Sequence, residues 1–95
     1  MINVLFVVSY DVTDDKRRKE LSDYLESYGV RVQYSVFETE LAESQLDQLV
    51  RGIKKRIKPE EDTVRIYPIT KGVRDKIVTI GKDKGRFFDQ DVIVI

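Results

Sequence analysis

The chain has 95 residues, of which 41% are hydrophobic and 36% are charged. This length is that of one domain, and the charge exceeds the ~25% that is typical of globular proteins. Acids and bases balance at 17 each, so the strongly basic balance of many nucleic-acid-binding domains is missing. The sequence contains no Cys and no His, which excludes disulfides, thiolate or imidazole metal sites and a Ser-His triad. Hydrolytic chemistry would have to use carboxylates, hydroxyls, Lys or Arg, and an oxygen-liganded metal is the simplest route.

The most hydrophobic run in the sequence, Val4 to Val8, is apolar without alternation and leads into Ser9-Tyr10-Asp11. Such a run predicts a central strand covered on both faces, over about Ile2 to Tyr10. The run is too short to span a bilayer and lacks the basic start of a signal peptide. We therefore expect a cytoplasmic protein with no membrane partner.

A first helix is predicted from Thr13 or Asp14, either of which can cap it, to about Tyr28. Gly29 follows at the position where helices commonly end. Apolar side chains recur along this segment at helical spacing and predict one buried face. They are Leu21, Tyr24, Leu25 and Tyr28.

The stretch from Val30 to Leu41 alternates with the period of a strand. It is long for one strand, so one bent strand and two short strands joined around Gln33-Tyr34-Ser35 both fit the sequence. A second helix is predicted over about Ser44 to Ile57, and a further strand over Thr63 to Ile69. Pro68 predicts that this strand ends there or lies at a sheet edge.

The sequence beyond Thr70 is less regular. Lys76 to Ile80 could form a short strand, and Gly81 to Arg86 is typical of a polar turn. Val92 to Ile95 is an apolar, β-branched run that should pair with a sheet edge of this chain or of a second copy.

The predicted element order is β-α-β(β)-α-β followed by a segment with strand character. If the middle stretch is two strands, the order is βαββαβ, which favours an α+β, ferredoxin-like fold with an antiparallel sheet and both helices on one face. The other sheet face then needs a cover, and a homodimer would supply it. We expect one domain over residues 1–95, with a core over about 1–70 and a C-terminal strand segment over about 76–95 that packs on the dimer partner.

Asp11 is a candidate for a functional site because it follows a buried strand. A carboxylate at a strand exit is held by a rigid backbone while its side chain reaches solvent. It could bind Mg²⁺, or another divalent cation such as Mn²⁺, which takes one or two protein carboxylates and several waters. Asp is also a common turn residue, and that ordinary role fits the same position.

Basic and aromatic side chains are the other candidates. Tyr10 could stack on a base, although such a Tyr is more commonly half-buried. Arg17 and Arg18 belong to a basic helix turn that could contact phosphates, or that is an ordinary solvated face. Arg31 and Phe37 share one parity of the middle stretch, which suits stacking with nucleic acid and equally suits a dimer interface.

Four features together resemble the Cas-two family, the small CRISPR-associated proteins that partner the adaptation integrase. They are Ser9-Tyr10-Asp11-Val12, then the basic helix start, then Val32-Gln33-Tyr34-Ser35-Val36-Phe37-Glu38, then Asp62-Thr63-Val64-Arg65-Ile66-Tyr67-Pro68. The resemblance covers Met1 to about Pro68, and the stretch from Val32 to Glu38 is its most specific part.

The resemblance implies a ferredoxin-like homodimer in which Asp11 of each protomer holds the metal and is the catalytic residue. It implies that Arg31 and Phe37 support the site and that Arg17 or Arg18 is a basic contact to nucleic acid. Tyr10 stays a candidate for base stacking from its place at the strand end. The implied activity is that of a Mg-dependent endonuclease of spacer acquisition, which cleaves single-stranded RNA or double-stranded DNA. The alternative is a non-catalytic dimeric adaptor that bridges DNA and the adaptation integrase. A toxin-like RNase of the same fold outside CRISPR is a third possibility.

Overall fold

The computed structural model describes residues 3–82. Its elements follow the predicted order, with one short helix after the last strand. They are β1 (Val4–Asp11), α1 (Asp15–Glu26), β2 (Val30–Gln33), β3 (Val36–Leu41), α2 (Glu43–Lys54), β4 (Thr63–Ile69) and α3 (Lys71–Arg74).

The strands form one sheet in the order β2-β3-β1-β4, and each neighbouring pair is antiparallel. The order and the crossovers through α1 and α2 confirm the ferredoxin-like α+β prediction. The middle stretch is two strands, with the turn at Tyr34 and Ser35. The alternative of a single bent strand is therefore excluded.

The core lies between one sheet face and the two long helices. Phe6, Val8 and Tyr10 of β1 belong to it, and α1 contributes Leu21 and Leu25. Successive side chains of a strand point to opposite faces, so Leu5, Val7, Ser9 and Asp11 lie on the other face. Leu49 and Ile53 of α2 complete the packing.

Both long helices are shorter than their periodicity predicted. The Asp14 side chain accepts the backbone N–H of Arg17, and α1 ends at Glu26, two residues before Tyr28. Tyr28 still packs against the core from the turn that follows, which is why the apolar spacing continued past the helix. In the same way Ile57 packs on the core although α2 ends at Lys54.

The segment after β4 differs from its prediction. α3 begins after Thr70, whose hydroxyl accepts the backbone N–H of Val73. The predicted strand over Lys76 to Ile80 is wrong, because only Ile80 makes an isolated bridge. Gly81 adopts a φ of 95°, a backbone conformation that suits a turn. The rest of that predicted turn and Val92–Ile95 lie outside the described residues.

The sheet face opposite the long helices is covered by α3 at one end, within residues 3–82, and the segment from Val78 to Lys82 lines a cavity with Glu38 beside β2. At the α3 end Arg74 of α3 donates to Glu40 of β3 at 2.8 Å, and Leu5 is buried. At the opposite end of the face lie Ser9 and Asp11, which α3 does not cover. We call the sheet face opposite the long helices the open sheet face.

No helix within residues 3–82 is long and apolar enough to cross a membrane.

Candidate metal and nucleic-acid site

Asp11 is the last residue of β1 and lies on the open sheet face. Its neighbours in the chain, Tyr10 and Val12, are buried in the core, and its cross-strand partner is Thr63 of β4. The backbone at residue 11 is therefore anchored on three sides, while the side chain is exposed. β1 was predicted to end at Tyr10, and the pairing with Thr63 extends it by one residue.

The Asp11 carboxylate makes no hydrogen bond or ion pair within residues 3–82. An exposed carboxylate oxygen without a protein donor is chemically suited to a hard cation. The same part of the chain contains no cluster of three or more acidic side chains that could hold a metal. One protomer thus offers a single ligand, and a magnesium site would need further oxygen donors from water and a second chain.

Tyr10 and Phe37 are buried in the core. Tyr10 is 6% exposed and Phe37 is 1% exposed, and their rings stack with centroids 6.2 Å apart. In this arrangement neither ring face is open to a base. The Phe37 ring instead supports the Arg31 guanidinium, which lies 5.6 Å from its centroid, and Tyr10 packs against Phe37. Arg31 and Phe37 are register partners across β2 and β3, which places them on one sheet face, as their shared parity predicted.

A groove of about 310 Å³ lies between α1 and the turn that joins β2 to β3. Tyr10, Arg18 and Arg31 line it together with the exposed Tyr34. The structure therefore brings together three of the five supporting candidates, on the helix side of the sheet and away from the face that carries Asp11. Each cation in the groove has an acidic partner, so the groove is balanced in charge. The pairs are Arg18–Asp15, Lys19–Asp23 and Arg31–Glu26.

Arg17 makes a specific internal contact that the sequence did not predict. Its Nε donates to Asp62 Oδ2 at 2.9 Å and its Nη2 donates to Asp62 Oδ1 at 3.1 Å. A guanidinium that binds a carboxylate in this two-pronged way is held firmly. Nη2 also contacts Glu61 at 3.2 Å. Two of the three guanidinium nitrogens of Arg17 are therefore engaged within the protein, and a phosphate contact would have to compete with Asp62.

Asp62 is the residue that sequence reasoning missed. Its side chain is 0% exposed, although it follows Glu60 and Glu61 in a run that looks like an ordinary acidic loop. Hydrogen bonds from Arg17, and further ones from the backbone N–H groups of Lys58 and Thr13, hold the pKa of this carboxyl well below its usual range. Its only signal in the sequence is an acid directly before a strand, and that signal is weak.

Comparisons with known proteins agree with this geometry. The family model described as CRISPR associated protein Cas2 matches residues 4–77. The "CRISPR-associated endoribonuclease Cas2 3" of Synechocystis sp. is 48% identical over 66 residues, which cover 70% of this chain and 72% of that protein. The "CRISPR-associated endoribonuclease Cas2 1" of Chloroflexus aurantiacus is 37% identical over 93 residues, 97% of this chain and 100% of that protein.

Solved structures of Cas2 proteins are also similar to this chain. The crystal structure of Streptococcus pyogenes Cas2 has a TM-score of 0.72 and 27% identity, and the match covers 81% of this chain and 99% of that one. A chain of a partial Cas6-RT-Cas1–Cas2 complex has a TM-score of 0.71 and 36% identity, covering 78% of this chain and 81% of that one. With a family model that matches from β1 to beyond α3 and a relative that aligns along nearly its whole length, this chain belongs to the CRISPR-associated Cas2 family.

Proposed function

We propose that this protein is a metal-dependent endonuclease of CRISPR spacer acquisition, which cleaves phosphodiester bonds of single-stranded RNA or double-stranded DNA. The observation that supports the proposal most directly is the Asp11 carboxylate, which is exposed, unpaired within residues 3–82 and fixed at the end of a buried strand. The names of the relatives, endoribonuclease and endonuclease, support the same activity.

The proposed active unit is a homodimer. Within residues 3–82 the open sheet face carries partly exposed side chains, among them Val7 and Tyr67, that no helix covers. The outer edge of β4 is also unpaired in this part of the chain. A second copy placed on this face would bury both features and would bring its own Asp11 toward the first. The C-terminal segment, about 76–95, is proposed to pack on the partner in the same assembly.

In this dimer Asp11 of both protomers would hold Mg²⁺, or Mn²⁺ in its place. The bound cation would supply an activated water and would offset the charge that develops on the phosphodiester. The role of Asp11 is to hold its carboxylate at a fixed point of the sheet rim. Arg18 and Arg31 are proposed as supporting cations, and Tyr10 and Phe37 as the rings that set the position of Arg31.

Replacing Asp11 tests the proposal. Asp11→Ala should lower the rate of metal-dependent cleavage by at least about 100-fold, because the site loses its carboxylate from both protomers. The measurement is single-turnover cleavage of a labelled single-stranded RNA and a labelled DNA duplex with Mg²⁺, with Mn²⁺ and with EDTA. Asp47→Ala, which removes an exposed acid on the outside of α2, is the matched control. Equal cleavage by the Asp11→Ala protein would contradict the nuclease proposal.

A non-catalytic adaptor is the second candidate, and the structural similarity to a chain of a Cas1–Cas2 complex favours it. Under this proposal the dimer bridges DNA and the adaptation integrase, and Asp11 has no chemical role. Spacer acquisition in cells should then continue in the Asp11→Ala strain and should stop when the C-terminal segment is deleted. Loss of acquisition in the Asp11→Ala strain, with the protein still dimeric, would favour the nuclease.

A further inference from the structure

The chain segment directly after Asp11 is held by side chains from two other parts of the protein. The backbone N–H of Thr13 donates to Asp62 Oδ1 at 3.2 Å. The carbonyl of Val12 accepts from Arg18 Nε at 3.1 Å. Because these bonds begin one residue after Asp11, they limit how far the end of β1 can turn or move away from the sheet.

Asp62 has a full set of hydrogen-bond partners. Oδ1 accepts from Thr13 and from Arg17 Nη2, and Oδ2 accepts from Arg17 Nε and from the backbone N–H of Lys58, the last at 2.9 Å. An ionised carboxylate has about four acceptor positions, so each is used. The side chain is 0% exposed, and its position is therefore set by protein groups alone.

The same residue is tied to Asp11 from the other side. Asp62 is followed by Thr63, the first residue of β4 and the cross-strand partner of Asp11. Backbone pairing thus fixes residue 11 against residue 63, and the carboxylate at residue 62 fixes residue 13. A shift of Asp62 would be passed to Asp11 along both connections.

We propose that Asp62, held in place by Arg17, is a positioning residue for Asp11. This inference rests on the proposed function of Asp11 as a metal ligand. Asp62 does not touch the metal or the substrate. It sets the place of the Asp11 carboxylate on the open sheet face, where a small displacement would separate the two Asp11 side chains of the dimer. Residues that orient a metal ligand in this way typically change metal affinity or activity by about 10- to 100-fold.

Asp62→Asn is the most direct variant, because an amide cannot replace this carboxylate in either orientation. Each oxygen of Asp62 accepts two N–H groups, so the amide NH₂ would always face two donors. Arg17→Lys is a milder variant that keeps the charge and removes the two-pronged contact. Glu61→Gln is the matched control: Glu61 is the adjacent acid and also contacts Arg17, but its side chain is 51% exposed.

The experiment measures Mn²⁺ binding, backbone position and catalysis on the full-length chain. Mn²⁺ is titrated while paramagnetic broadening of the Asp11 amide signal is followed by NMR, and kcat and KM are measured below the melting temperature of each variant. In the Asp62→Asn protein we expect the Mn²⁺ concentration for half-broadening to rise about 10- to 100-fold. The value of kcat should fall by a similar factor while KM stays within about twofold. Arg17→Lys should give a smaller change in the same direction, and Glu61→Gln should match the wild type.

A purely structural role for Asp62 would lower the melting temperature and leave Mn²⁺ affinity and kcat unchanged in the folded protein. That result would overturn the inference. If Asp62→Asn does not fold, the Mn²⁺ affinity and kcat of the Arg17→Lys protein decide the question in the same way. Asp11→Ala run in parallel separates the two proposals. If that variant keeps wild-type Mn²⁺ binding and cleavage, the proposed function fails. The positioning inference is then decided by whether the Asp11 amide signal moves in Asp62→Asn, and an unmoved signal would overturn it.

Discussion

At the scale of single residues, the buried carboxylate of Asp62 has the most unusual environment in the described part of the chain. The Arg17 hydrogen bonds, followed by those from the Lys58 and Thr13 backbones, lower its pKa. Burial raises the pKa, but by less than the hydrogen bonds lower it. A buried acid that is fully hydrogen-bonded stays ionised, whereas one left without partners would take up a proton. The chain thus connects α1 to the loop before β4 through one ionised pair.

This environment predicts a loss of stability in acid. Because the pKa of Asp62 is lower in the folded than in the unfolded chain, its contribution is complete above the unfolded value of about 3.9. The contribution is lost as the pH falls below that value toward the folded pKa, since the unfolded chain then binds the proton more readily. Urea midpoints between pH 7 and pH 2 should fall less steeply for Asp62→Asn than for the wild type. Asp47→Asn is the control, and an equal slope in the Asp62→Asn and wild-type proteins would contradict the prediction.

At the scale of elements, α1 and α2 make contact through Tyr24 and Gly52. The Tyr24 hydroxyl donates to the carbonyls of Gln48 and Leu49 at 3.1 and 3.3 Å, and the Arg56 guanidinium lies 4.0 Å from the centre of its ring. A Cβ at residue 52 would collide with the end of the Tyr24 side chain. Gly52 is therefore needed because the ring occupies that space. Burial, with the neighbouring Tyr28 hydroxyl, raises the pKa of Tyr24 to about 12.

Gly52→Ala is expected to destabilise the protein although Ala is the better helix former. Overpacking costs about 1–3 kcal/mol, which exceeds the ~1 kcal/mol that Ala gains over Gly in a helix. The measurement is the free energy of unfolding in urea. Gly72→Ala is the matched control, because nothing lies within 4 Å of a Cβ at that position in α3. A Gly52→Ala protein as stable as Gly72→Ala would show that the Tyr24 ring moves aside at no cost.

At the scale of the whole molecule, the proposed function depends on the open sheet face. Residues 3–82 place the two long helices on one side, and on the other side they place α3 and the segment from Val78 to Lys82. The Asp11 carboxylate lies on the uncovered part, where one chain supplies a single ligand. The groove lined by Arg18 and Arg31 lies on the helix side. A substrate that contacts both the proposed metal site and the proposed supporting cations therefore has to pass around the rim of the sheet.

If the proposed dimer forms through the open sheet face, a like charge placed there should separate it. Val7→Glu introduces a carboxylate on this face directly opposite Glu38, and burying it beside a like charge is costly. We expect the dissociation constant of the proposed dimer to rise by about 100-fold or more, equal to ~2.7 kcal/mol, as measured by sedimentation velocity over a concentration series. Gln48→Glu, which adds the same charge on the outside of α2, should leave the dissociation constant unchanged. Val7→Glu dimerising like the wild type would exclude this face as the interface.

The elements with strong local patterns were predictable from the sequence. The apolar run of β1, the Asp14 cap of α1 and the helical spacing of Leu21 and Leu25 all arise from neighbouring residues. The element order then led to the ferredoxin-like sheet, because few topologies connect such elements without left-handed crossovers. The place of Asp11 at a strand exit also follows from chain order alone, but the same place suits an ordinary turn residue, and the resemblance to the Cas2 family made Asp11 the leading candidate.

Other features depend on contacts between distant parts of the chain. Asp62 and Arg17 are 45 residues apart, and no local pattern marks either as the partner of the other. The turn at Tyr34 and Ser35 has no Gly or Pro to indicate it. It is held by the pairing of β2 with β3 and by the backbone N–H of Tyr10, which donates to the Ser35 carbonyl at 3.1 Å. The sequence by itself determined the elements, their order and the carboxylate at the end of β1. Only the tertiary structure decided which side chains face the same way and which charges are buried together, because these depend on which surfaces meet when the chain folds.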